Sequence, residues 1–295
     1  MPTVTLGGTP VLVTFASPRA VQIQVPADME GGHLPVVIEG DAASGTTVEV
    51  GAAWATGLHQ VDNPAFDAAG NLFVTYSGTR GQESPVSLFR VTPQGTREPF
   101  ATGIVNPTSL AIGPDGLVYV SSRFAGTVQR VREDGTSEQV ASELGVACGI
   151  AFDAQGYMYV GDRSGTVFRV RDGHATPFAS LAPSVAAFHL AMAPDGDLYV
   201  TAPTLSAYDR VQRIGRHGDV TSLPSRFGRP QGLAFSPDGV LHVVEALAGA
   251  SGLYRLPDPA GEPELVVSGA GLVGVAFAPD GALVVASTET VYRFA

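Results

Sequence analysis

One phrase recurs six times in this chain, and the interval between copies limits what it can fold into. The copies end in FDAAGNLFV, IGPDGLVYV, FDAQGYMYV, MAPDGDLYV, FSPDGVLHV and FAPDGALVV. Their turn glycines, Gly70, Gly116, Gly156, Gly196, Gly239 and Gly281, are 46, 40, 40, 43 and 42 residues apart. Each copy reads as an apolar strand, a tight turn and a second strand ending in Val (Val74, Val120, Val160, Val200, Val243, Val285). The Asp-Gly and Gln-Gly pairs at the turns are hairpin signals, because Gly readily adopts positive φ. A third strand follows, as in TVQRV or GLYRL, then a more polar fourth, as in TSEQVAS or PELVVSG. The unit is therefore one antiparallel sheet of four strands.

A period of about 40–50 residues is that of a β-propeller blade. The columns of the alignment carry physical meaning. Five residues before each turn glycine stands Ala: Ala65, Ala111, Ala151, Ala191, Ala234 and Ala276. One residue later comes a large apolar group: Phe66, Ile112, Phe152, Met192, Phe235 and Phe277. Seven before the glycine the residue is small or short (Asn63, Ser109, Gly149, Gly232, Gly274), with His189 the exception. Alternation along a strand gives each first strand a bulky and a small face, and the bulky face of one blade can fill the small face of the next. The sixth copy stops after its third strand, at Tyr292–Ala295. TTVEVGAAWATGL (Thr46 to Leu58) matches REPFATGI, the fourth strand of the first copy. We expect it to complete the last blade, which would remove exposed edges. The predicted fold is all-β: a six-bladed propeller over residues 46–295, closed by an N-terminal strand.

Residues 1–45 lie outside the repeat. Val21, Ile23 and Val25 alternate with Gln22 and Gln24, as in a half-buried strand. SPRAVQIQVP followed by GGHLPVVIEG resembles the later half of an immunoglobulin-like TIG (IPT) domain, which implies a partial β segment here. Together with the propeller, it suggests a piece of a longer modular bacterial protein, periplasmic or extracellular. The opening MPTVTLGGTP lacks the basic region and apolar core of a signal peptide.

Composition narrows the chemistry. The chain has 17 basic and 28 acidic residues, a formal charge of −11, and every basic residue is Arg. Without Lys there is no Schiff-base chemistry and no phosphate-loop lysine. Phosphate contacts dominate nucleic-acid affinity, so this charge argues against DNA or RNA. No apolar run reaches the ~18 residues of a spanning helix. The single Cys, Cys148, leaves no internal disulfide and reads as a small buried residue. No zinc-ligand spacing, phosphate loop or Gly-x-Ser-x-Gly elbow is present.

The repeat, best seen as QGLAFSPDGVLHV and CGIAFDAQGYMYV, resembles the NHL repeat and the related senescence-marker/gluconolactonase-like propellers. NHL propellers are mostly binding platforms. Gluconolactonase-like propellers are metal-dependent hydrolases whose ligands stand eight residues before the turn; here these positions hold Asp62, Thr108, Cys148, Phe188, Gln231 and Val273. The resemblance implies a divalent cation (Ca²⁺, Mn²⁺ or Zn²⁺) on Asp62 and Gln231, but this set has one carboxylate and one amide where a hard cation wants several oxygens. Because the second strand returns antiparallel, its far end should share the mouth, placing Arg123, Asp162, Arg163 and Glu245 near Asp62, His189 and Gln231. The longer loops after the second strands of the first and fourth copies bring Tyr76 and Tyr208 to the rim, as recognition loops on a rigid scaffold.

The leading expectation is a monomeric binding module taking a small polar ligand or a protein segment at the channel mouth, through Asp62, Arg123, Asp162, Arg163, Gln231, Tyr76 and Tyr208. The alternative is a divergent metal-dependent lactonase or esterase with His189 and Glu245 as catalytic residues. A structural spacer of a cell-envelope protein is the third reading.

Overall fold

The protein's structure, a computed structural model, describes residues 1–26, 28–40, 45–247 and 250–294. Among the described residues every regular element is a β-strand. Among the described residues no helix is long and apolar enough to cross a membrane. Two compact units are present: Met1–Trp54 with the last residues from Tyr292, and Ala55–Val291.

The first unit is built on one five-stranded sheet, ordered Val21–Gln24, Thr9–Ala16, Val4–Leu6, Gly32–Ile38, Thr47–Val50. Val4 and Leu6, on its central strand, are fully buried. The strand expected from the Val21/Ile23 alternation is present, with half-buried valine and isoleucine and exposed glutamines. The proposed junction at residue 45 adjoins residues 41–44, which lie outside the described residues.

The stretch Thr46 to Leu58 is not one strand. It breaks at Gly51: Thr47–Val50 pairs with Gly32–Ile38, and Ala52–Thr56 is the fourth strand of the last four-stranded sheet, beside Thr290–Arg293. The reason is local. A Cβ on Gly51 would lie 2.7 Å from the Phe294 ring and 3.1 Å from Tyr292 Cβ, so only glycine passes here.

The second unit carries the repeat. Each copy gives a four-stranded antiparallel sheet, six in all among the described residues, with the strands of each in chain order except that the last borrows Ala52–Thr56. The first strands are Ala65–Phe66, Pro107–Ile112, Ala147–Phe152, His189–Met192, Pro230–Phe235 and Leu272–Phe277. Each touches the next, and the sixth touches the first, so they circle an axis. This is the arrangement of a β-propeller.

Packing between sheets explains the columns, and in part differently from expectation. The bulky residue stacks on an aromatic of the preceding sheet's second strand: Tyr119 on Phe152 (4.8 Å between centroids), Tyr199 on Phe235 (5.1 Å) and His242 on Phe277 (4.9 Å). Such edge-to-face pairs add to the burial of their area. The small column, by contrast, faces backbone. A Cβ on Gly149 would lie 2.4 Å from the Phe188 carbonyl oxygen, and one on Gly274 would lie 2.5 Å from that of Asp62. At these glycines the first strands approach too closely at their inner ends for a side chain to fit.

Candidate functional site

The inner ends of the first strands form the walls of one pocket. The first strands of the second, third, fifth and sixth sheets shift register at their entrance, between Pro107 and Leu110, Ala147 and Ile150, Pro230 and Leu233, and Leu272 and Gly274. Such bulges re-aim side chains, and Thr108, Cys148 and Gln231 lie within them. With Gln60, Val61, Ala186, Ala187, Val273 and Thr288, and with Arg123 and Arg163, they line a cavity of about 250 Å³. All six sheets contribute.

The fourth sheet breaks the pattern. Its first strand begins in regular register at His189, opposite Thr201. Phe188 turns outward, fully buried against Gly161, where a Cβ would lie 2.4 Å from its ring. His189 thereby enters the middle of the ring. Its Nδ1 lies 2.5 Å from Asp62 Oδ1, and neither residue is more than 2% exposed. Asp62 precedes the first sheet and His189 opens the fourth, so the two come from opposite sides of a ring of six. The bond is a strut across the axis. Asp62 Oδ1 also accepts the Asn63 amide (2.7 Å), whereas His189 Nε2 is buried without a partner.

Around the strut, side chains tie the strand ends together. Gln60 donates to the Asp62 carbonyl (2.7 Å) and accepts from the Thr75 amide (2.7 Å) and hydroxyl (3.0 Å). Asn63 donates to Leu233 O (2.7 Å) and accepts from Val275 N (2.9 Å), joining three sheets. Cys148 is buried, and burial, the largest influence, pushes its thiol up to about 12. A thiol so raised is not a nucleophile at neutral pH.

Asp62 and His189 thus meet, and Arg123, Arg163 and Gln231 share the pocket wall. The remaining candidates lie elsewhere. Asp162 is a loop staple: its Oδ1 accepts from Val146 N (2.8 Å) and Ser164 N (3.3 Å), and its Oδ2 accepts from the Ser164 hydroxyl. Glu245 is buried beside Gly228 and does not line the pocket; burial raises its carboxyl, opposed by a hydrogen bond from the Gly228 amide. Tyr76 stacks edge-on with His59 and Phe89 at 6.0 and 6.3 Å. Tyr208 projects outward, 56% exposed. Thr108, Cys148 and Val273 stand in the column read as the ligand column, so their place in the wall was visible in the alignment. The opposition of Asp62 and His189 was also implicit, three repeats apart in a cycle of six.

No protein-family profile and no curated protein matches the sequence. Solved structures are similar in fold. A gluconolactonase from Xanthomonas campestris superposes with a TM-score of 0.69 at 14% identity, over 92% of this chain and 96% of that one. Regucalcin from Agrobacterium tumefaciens, titled a calcium-binding protein, gives 0.64 at 16%, over 83% and 93%. A catalytically inactive histidine-to-alanine form of virginiamycin B lyase from Staphylococcus aureus, with quinupristin, gives 0.59 at 15%, over 96% and 93%. The fold is shared. At these identities the likeness speaks for the fold alone.

The residues do not fit the cation that the gluconolactonase-like fold implies. Among the described residues no group of three His, Cys, Asp or Glu side chains converges on a point. Asp62, the one acid of the ligand column, is turned onto His189, and the neighbouring positions offer a hydroxyl, a thiol, an amide and two apolar groups. A hard cation would find too few oxygens.

Proposed function

We propose that this chain is a six-bladed, NHL-like propeller acting as a binding module, which takes a small polar ligand at the mouth of its channel without a resident metal. In this reading Ala52–Thr56 closes the sixth blade, and the N-terminal sheet is the divergent, TIG-like attachment of a modular protein. The observation that carries the proposal is the use of Asp62: its carboxylate is committed to His189 and the Asn63 amide, leaving a mouth whose free groups are hydrogen-bond donors and acceptors. A concave site with a few convergent polar groups on rigid elements is a usual form of a ligand site.

The fold it shares with gluconolactonase and regucalcin supports a second reading, a divergent lactonase. The Asp62–His189 pair is the local feature in its favour, because a carboxylate on one ring nitrogen orients an imidazole for proton transfer at the other. One experiment separates the two. Under the binding reading, millimolar Ca²⁺, Mn²⁺ or Zn²⁺ leaves the melting temperature unchanged, and hydrolysis of sugar lactones by the wild type does not exceed that of His189→Ala. Cation-dependent turnover lost in His189→Ala and in EDTA would replace the binding module with the lactonase.

A further inference from the structure

The walls of the pocket carry two positive charges and no acidic side chain. Arg123 and Arg163 occupy equivalent places, each one residue past the second strand of its sheet (Val118–Ser122 and Met158–Asp162). Each is set on a rigid pedestal by the residue before it. Ser122 donates to Val105 O (2.6 Å) and accepts from Ala125 N (3.1 Å). Asp162 fixes Val146 and Ser164 as described above, and its carboxylate forms no ion pair with the arginine that follows.

Neither guanidinium forms an ion pair among the described residues. On the third strands, four arginines do have acidic partners: Arg90 is paired with Glu98, Arg130 with Glu138, Arg213 with Asp197 and Arg255 with Glu264. At the mouth, Arg163 has only a 3.2 Å bond to Val185 O, and its Nε is buried with no partner. Arg123 is held below the usual arginine range by burial, and further by the like charges of Arg163 and Arg80. Arg80 rides on a loop that Asn106 clamps, donating to Ser77 O (2.6 Å) and Thr79 O (3.0 Å) and accepting from Gly81 N (2.7 Å). Two guanidinium groups in a pocket wall that has no acidic side chain, with the like charge of Arg80 acting on one of them, constitute an unmet demand for negative charge.

We propose that the ligand of this mouth is a small oxyanion, a carboxylate or phosphate group bridged by the Arg123 and Arg163 guanidinium groups, with Arg80 adding to the field from the rim. This rests on the binding reading and names its ligand class. Planar guanidinium forks match both groups through paired charge-assisted hydrogen bonds, and the free edge at Arg163 Nε supplies one donor already desolvated. Gln231 and Thr108, on the same wall, would take the ligand's neutral hydroxyls.

The test is isothermal titration of the whole chain with inorganic phosphate, glycerol 3-phosphate and succinate, with glycerol and xylitol as neutral controls. Arg123→Met and Arg163→Met are measured alongside the wild type, after circular dichroism and thermal melting establish that they are folded. Arg163→Lys serves as the milder variant if a methionine variant is not. At least one oxyanion should bind, the phosphates or the carboxylate according to which headgroup is the natural one. Either methionine substitution should weaken it by about tenfold or more, and the lysine by less. Equal affinity in wild type and folded variants, or no oxyanion bound, overturns the proposal. If xylitol binds and loses affinity in Gln231→Leu while the oxyanions do not bind, the anion assignment fails and the binding module stands. If none of the probes binds, both fail together.

Discussion

The buried contact between Asp62 and His189 joins two residues 127 positions apart in sequence, so its partners cannot be read from local pattern. What the sequence does show is that His189 is out of place in a column of small residues. The structure accounts for this: the fourth first strand has no bulge, Phe188 swings outward, and the imidazole fills the axis. A buried polar side chain is expensive unless paired, and removing one partner leaves the other stranded. Asp62→Ala should therefore lower the free energy of unfolding by about 3 kcal/mol, because His189 would then be buried with neither nitrogen satisfied. Asp62→Asn keeps a polar group at the same place and should cost less. Urea denaturation measures both, and an alanine variant as stable as the wild type would mean that the strut bears no stress.

At the scale of strands, two glycines of the sixth repeat illustrate how one residue type answers two constraints. Gly281, at the turn, has φ of +87° and open space where its Cβ would be; Gly274 has ordinary φ but would drive a Cβ to 2.5 Å from Asp62 O and 2.8 Å from Asn63 Cα. Alanine at position 281 meets only the left-handed backbone penalty, about 1 kcal/mol. Alanine at position 274 must push two backbones apart and should cost about 3 kcal/mol. Thermal melts of the two variants should rank in that order; the reverse order would mean that the strands can separate freely at the axis. The same pair marks the limit of legibility. The hairpin glycines, the Ala column and the period of the four-stranded unit are local, and each was plain in the sequence. That the small column faces backbone rather than a bulky neighbour depends on how near the first strands come, which no single strand encodes. The candidate site divides likewise. Arg123, Arg163 and Gln231 followed from counting along antiparallel strands, whereas Asp162 and Glu245 satisfied the same count and are turned aside by local hydrogen bonds.

At the scale of the molecule, what matters is how the last sheet is completed. Its first three strands come from the C-terminal end and its fourth, Ala52–Thr56, from the N-terminal side. Such a sheet cannot form from either end alone, so its pairing should tie unfolding of the ring into a single event. Trp54, the chain's one tryptophan, sits on this strand with the Arg293 guanidinium 4.9 Å over its ring, which makes its fluorescence a reporter of that pairing. In the intact chain, the urea transition seen by tryptophan fluorescence should coincide with that seen by far-UV circular dichroism, as two-state unfolding requires. Deleting residues 1–40 leaves the closing strand in place and should preserve the sharp transition of the ring. Deleting residues 1–56 removes the strand and exposes the edge of Thr290–Arg293. Unpaired edges recruit other chains, so that variant should unfold over a broad range of urea and elute as oligomers in size-exclusion chromatography. If it instead stays monomeric and melts as sharply as the variant lacking residues 1–40, the ring holds without its borrowed strand, and the cooperativity must come from the contacts among the six first strands alone.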